Sequence, residues 1–169
     1  MAAGAVLAVG ATLTIGERPA LLLYVYLGAV LLPLLVCDMR LHRLPTCFIA
    51  PAYPVAAVAF LADAVMTGEW SRLLHAVLGC AVLGGVYLVL CAMPGGLMGL
   101  GDVRLAGVLG AALAWISWEA LLIGALGAFV LSFLVGLPQL LLRRTRLQSR
   151  VAFGPYMLLA SVLAVAAGA

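Results

Sequence analysis

The chain of 169 residues contains no lysine, and Asp, Glu and Arg together make up only 9% of it. An ordinary soluble domain carries about 25% charged residues. With 67% hydrophobic residues and a mean hydropathy of +1.28, the composition is that of an integral membrane protein. The net charge of +3 comes from nine arginines, too few and too dispersed to form the basic face that a nucleic-acid partner needs. Cys37, Cys47, Cys80 and Cys91 form no CxxC pair and no Cys/His cluster with zinc spacing, so they read as small apolar fillers. The segment Met1 to Gly16 is apolar but has no positively charged start, so a cleaved signal peptide is not expected. Internal repeats and low-complexity linkers are also lacking, and the chain reads as a single domain.

What remains is long apolar runs that are continuous rather than alternating, which favours helices over a closed barrel. Dividing the sequence at charges, prolines and glycine clusters gives six candidate transmembrane helices: Pro19 to Cys37, Cys47 to Met66, Arg72 to Met93, Asp102 to Trp118, Glu119 to Leu142 and Gly154 to Gly168. The fold class is therefore an all-α, polytopic membrane helix bundle. Residues 1–18 form an N-terminal apolar segment, supplying either a seventh helix or an element lying at the interface. Residues 19–169 form the membrane-embedded domain.

Arginine sets the expected orientation, because short loops rich in Lys and Arg stay in the cytoplasm. Arg40 and Arg43 follow the first helix, Arg104 sits beside the glycine-rich loop, and Arg143, Arg144, Arg146 and Arg150 fill the fifth connection. All three groups fall on one side if every helix crosses. The other side receives Arg18 and Arg72 with Glu17, Asp63, Glu69 and Glu119. Trp70, Trp115 and Trp118 are expected at that outer boundary, where indole rings commonly sit at headgroup level.

With the outer acids set aside, Asp38 and Asp102 remain, and both map to cytoplasmic helix ends. Asp102 reads either as a helix N-cap or as a functional acid. Asp38 ends an apolar helix, where the dipole disfavours negative charge, and its plain reading is a salt bridge to Arg40 or Arg43. Two carboxylates brought together split their titrations, so that one can take a proton from water while the other donates a hydrogen bond to a scissile carbonyl. The first and fourth helices would then pack side by side. Gly95, Gly96, Gly99 and Gly101 fit either a flexible surface loop or a turn that a substrate strand approaches closely. His42 reads as a solvated interface histidine, and His75, on the outer side, has no assigned role.

Three stretches carry a family resemblance. "GLGDVRLAG" at Gly99 to Gly107 resembles the GxGD motif of the type IV prepilin peptidases, which usually continues as GDVKL. "DMRLHRLPT" at Asp38 to Thr46 resembles their first-aspartate motif, in which a basic stretch leads to I-P-N. "VAFGPYM" at Val151 to Met157 is similar to their PFGP element. The resemblance implies that Asp38 and Asp102 are the catalytic pair, that no metal or other cofactor is required, and that leader peptides of prepilins or pseudopilins are cut at the cytoplasmic surface of the cell membrane. It places Gly99, Gly101, Arg104, Arg43, Pro45, Gly154 and Pro155 in substrate-binding or loop-shaping roles, Pro155 opening the last helix. Thr46 stands where the family usually has Asn, and Arg104 where it has Lys. Larger members add a cytoplasmic domain with two CxxC pairs that methylates the new N-terminus, and this chain has no room for it, so methyl transfer is not expected. The partners implied are the pilin-type substrate and the lipid bilayer, while oligomeric state is left open. Two alternatives differ in class. A proton-coupled or ion-conducting protein would hold its acids at the bilayer midplane, whereas both of these fall at one interface. A homologue that binds pilin without cutting it would not need the intact acid pair.

Overall fold

Local breakers and caps decide where each apolar run starts and stops. The computed structural model describes residues 18–41, 46–93, 99–141 and 154–166, and all regular structure among them is helical. The elements are α1 (Leu21–Leu41), the single turn α2 (Thr46–Ile49), α3 (Ala52–Thr67), α4 (Trp70–Ala92), α5 (Leu100–Ile116), α6 (Trp118–Leu141) and α7 (Gly154–Ala166). Gly68 ends α3 in the left-handed region at φ 75°, its N–H bonded to Ala64 O, the conformation that glycine adopts without strain. Ser117 serves two helices at once. Its extended backbone closes α5, and its Oγ accepts the Ala120 N–H at 2.9 Å as the N-cap of α6. The polar break expected there therefore separates two helices.

The second candidate helix is interrupted at Ala50 and Pro51. Pro51 has no N–H to continue the ladder, yet its φ and ψ of −67° and −21° are helical, so α2 leads into α3 and Thr46–Thr67 forms one apolar stretch of 22 residues. That stretch and Trp70–Ala92 are the two helices among the described residues that are long and apolar enough, by length and composition, to cross a membrane.

Helix α5 is the hub. Every residue from Leu105 to Trp115 is buried, as expected for a helix that is apolar all round, and α5 packs against α2, α3, α4, α6 and α7. Its tightest neighbour is α4. A Cβ added at Gly79 would collide with Gly110 O and the Ala114 side chain, and one added at Gly110 would collide with Gly79 O. These two glycines bring the backbones close, the small-residue packing common between membrane helices. Helices α3 and α5 run parallel, with Phe60 stacked on Trp115 at a ring separation of 4.3 Å and an interplanar angle of 2°. The outward faces of α3, α4 and α6 carry exposed Val58, Val65, Val77, Val86, Leu126 and Phe133, so the outside of the bundle is as apolar as the inside.

Three expectations are corrected. Trp115 is 1% exposed and belongs to the core rather than to a headgroup belt, whereas Trp70 and Trp118 do face outward. Asp63 stays near the outer end of its helix but is 0% exposed, enclosed in the bundle rather than set at its surface. Among the described residues, helices α1 and α5 share no extended interface. The main neighbours of α1 are α3 and α7, and α1 reaches α5 through a hydrogen bond from the Tyr24 hydroxyl to Ala112 O at 2.6 Å. Residues 1–17 lie outside the described residues.

Candidate active site

The first turn of α5 is built around an acid that caps its own helix. Gly99, the N-cap, has no side chain to bond the free N–H groups of the turn. Asp102 supplies the reciprocal half of a capping box, its Oδ2 accepting the Gly99 N–H at 3.2 Å, while the Asp102 N–H bonds Gly99 O at 3.0 Å. The capping reading of Asp102 therefore holds, and it does not compete with a chemical one, because the cap engages one carboxylate oxygen. The positive end of the α5 dipole also favours an acid there.

Asp38 comes from the last turn of α1, which runs on to Leu41, so the acid lies within the helix rather than beyond its end. Its residue is 5% exposed. Although the two acids are distant in sequence, Asp38 lies close enough to Asp102 for the two charges to act on one another. Tyr87 of α4 joins them. It is fully buried, its ring packs at 5.7 Å from that of Phe129 of α6, and its hydroxyl is within electrostatic range of Asp102. Nothing in the "GVYLVLC" stretch singles Tyr87 out from the sequence.

Beside the acids is a polar cluster that joins the two aspartate motifs. Arg104 Nη1 donates to Thr46 Oγ1 at 2.7 Å, so the two residues that depart from the pattern this chain resembles are bonded to each other. The Tyr53 hydroxyl donates to the Arg104 carbonyl at 2.9 Å. A Cβ at Gly107 would strike the same hydroxyl, so the glycine leaves room for it. Tyr53 also carried no signal in the sequence. On the other flank of α2, the Tyr26 hydroxyl of α1 donates to Phe48 O at 2.8 Å.

The remaining sequence candidates divide. Gly99 and Gly101 form the turn around Asp102, and Gly154 is a buried residue opening α7, with Pro155 as the second residue of that helix. Arg43 and Pro45 lie outside the described residues, as do Gly95, Gly96, His42 and the arginines of the fifth connection. Among the described residues, no group of three His, Cys, Asp or Glu side chains converges as a metal site would require, and the four cysteines are free.

Two carboxylates within range of each other's charge, one nearly enclosed and one held on a helix N-terminus, have the chemistry to divide the roles of acid and base around a water molecule if they close on it. Comparison with known proteins returned no match among the curated proteins and none among solved structures. Residues 23–168 match the type IV leader peptidase family. From its first described helix to its last, the chain belongs to the type IV leader peptidase family.

Proposed function

We propose that this protein is a polytopic membrane aspartic endopeptidase that removes leader peptides from prepilins or pseudopilins at the cytoplasmic face of the cell membrane, with Asp38 and Asp102 as its catalytic residues. Membership in the family makes it a leader-peptidase-like protease. The single observation that carries the finer reading is that Asp38 and Asp102, far apart in the sequence, lie within range of each other's charge.

In this reading α1, the α2–α3 pair, α4, α5, α6 and α7 each cross the bilayer, and the acids sit at the end where the arginine-rich connections gather. The ionised carboxylate takes a proton from water as the water attacks the scissile carbonyl. The protonated one donates a hydrogen bond to that carbonyl and then passes its proton to the leaving amine, so the pair finishes the cycle with its protons exchanged. A site at the membrane surface suits a substrate whose cleavage point lies just before its own apolar helix. Co-expression with candidate prepilins from the same genome, scored by the mobility shift of the shortened product, tests the reading. Full-length prepilin persisting beside the wild-type protein, with every candidate substrate, would overturn it.

A further inference from the structure

Among the described residues the two acid-bearing helices share no extended interface, and the bond from Tyr24 to Ala112 O lies about 20 Å along α1 from Asp38, so another element is needed to fix the spacing of the carboxylates. Helix α2 is placed for it. Its Phe48 carbonyl takes a hydrogen bond from Tyr26 of α1, the Asp38 helix, at 2.8 Å. Its Thr46 hydroxyl takes one from Arg104 of α5, the Asp102 helix, at 2.7 Å. Arg104 is in turn fixed through its own carbonyl by Tyr53, one turn into the same chain segment, at 2.9 Å. The single turn of α2 thus has one hand on each helix.

The geometry points to a bracket in which Thr46, Arg104 and Tyr53 act as positioning residues that set the approach of the Asp102 turn to Asp38. This inference rests on the proposed role of the two acids. It adds a way for residues that touch neither water nor peptide to govern the rate. Arg104 is two residues past Asp102, at the start of the second turn of α5, so its side chain and its carbonyl, held at two points, fix the rotation of the helix start about its axis. A bond to a charged donor is the stronger kind of hydrogen bond, and reacting groups displaced by about 1 Å lose on the order of 100-fold in rate.

The bracket has a length requirement that makes it testable. Lysine places its charged nitrogen one bond closer to the backbone than arginine places Nη1, and asparagine places its side-chain oxygen one bond further out than threonine places its hydroxyl. Arg104→Lys alone leaves the bridge short, Thr46→Asn alone crowds it, and the two together restore its total reach. A merely structural or a substrate-binding role predicts no such reciprocity.

The experiment measures prepilin cleavage by R104K, T46N, the double variant and Y53F in membranes, together with hydrogen exchange of the Gly99 to Arg104 amides in the purified proteins. Each single variant is expected to lower kcat roughly 5- to 50-fold with KM little changed, and to speed exchange in the first turn of α5. The double variant is expected to recover most of both. A rise in KM with kcat intact would make Arg104 a substrate contact and overturn the bracket, as would additive losses in the double variant. Exchange decides the inference even if no prepilin is cut: unchanged exchange in R104K and Y53F would sink it, whereas faster exchange reversed in the double variant would establish the bracket independently of the reaction.

Discussion

Asp38 and Asp102 are held by different physics, and each substitution tests a different part of it. Asn at either position keeps shape but can neither take the proton from water nor share one with its partner, so Asp38→Asn and Asp102→Asn are each expected to lower the cleavage rate by at least about 10²–10⁴-fold while the protein still inserts. An amide at 102 can still accept the Gly99 N–H, so the cap survives and the helix should not fray. Activity should fall on both sides of an optimum, because a doubly protonated pair has no base and a doubly ionised pair has no acid, and the two limbs belong to the pair. A monotonic pH–rate profile for kcat/KM would count against the divided roles. Asp63 is the contrasting case. It is fully buried, and among the described residues neither of its oxygens has a hydrogen-bond partner, as is true of the Trp115 indole N–H. It lies level with the far end of α5, about 20 Å along the helix from Asp102 at 1.5 Å per residue. Asp63→Asn is therefore expected to leave cleavage intact and not to lower stability, since an unpartnered buried carboxyl contributes no bond to lose. Prepilin cleavage assayed beside a thermal melt checks both, and a loss of activity like that of Asp102→Asn would make Asp63 part of the chemistry.

At the scale of elements, the contact of α4 with α5 holds the Asp102 helix in place. Gly79 and Gly110 meet backbone to backbone, so Gly79→Ala must push the helices apart, at a cost of about 1–3 kcal/mol. Gly85, on the same helix, has open space around its Cα, so Gly85→Ala should be neutral or stabilise by about 0.5–1 kcal/mol through backbone entropy. Detergent-solubilised melts of the two variants provide the comparison, and equal melting temperatures would mean that the close approach does not matter. The helix ends were readable from sequence because their causes are local. Gly68 stops α3, Ser117 divides α5 from α6, and the start of α7 at Gly154 coincides with the motif that opens it. The break at Pro51 is not legible in the sequence, because prolines also occur inside apolar membrane helices, where neighbouring groups satisfy the freed backbone.

The ends of the whole molecule are chemically sorted. Glu69 bonds Arg18 at 3.0 Å and Arg72 at 2.8 Å, which ties the start of α1 to the turn between α3 and α4. The acids, Thr46 and Arg104 gather at the other end. Partly exposed ion pairs contribute little to stability, so this sorting bears on orientation. If the arginine-rich end faces the cytoplasm, cysteines introduced at Arg43 and Arg146, in a background without the native cysteines, should resist an impermeant reagent added outside intact cells, and one at Glu69 should react. External labelling at the first two positions would invert the topology and remove the acids from the cytoplasmic face.

The sequence by itself determined an all-helical chain, the limits of most helices to within a few residues, and two acids at helix ends on one side. Each of these rests on interactions within a turn or two of the residue concerned: caps, breakers, the dipole and the length of apolar runs. It could not tell core from periphery. In a soluble helix a polar stripe marks the outer face, but here outward-facing residues such as Val58, Val86 and Phe133 are as apolar as interior ones. The same blank surface hid Trp115 and Asp63 in the interior, left Tyr53 and Tyr87 without distinction, and made direct packing of the two aspartate helices look necessary. Only the tertiary structure decided that α5 would be the enclosed helix and that α3, α7 and the single turn α2 would each touch both of the acids' helices, because those outcomes depend on which small residues let which backbones approach.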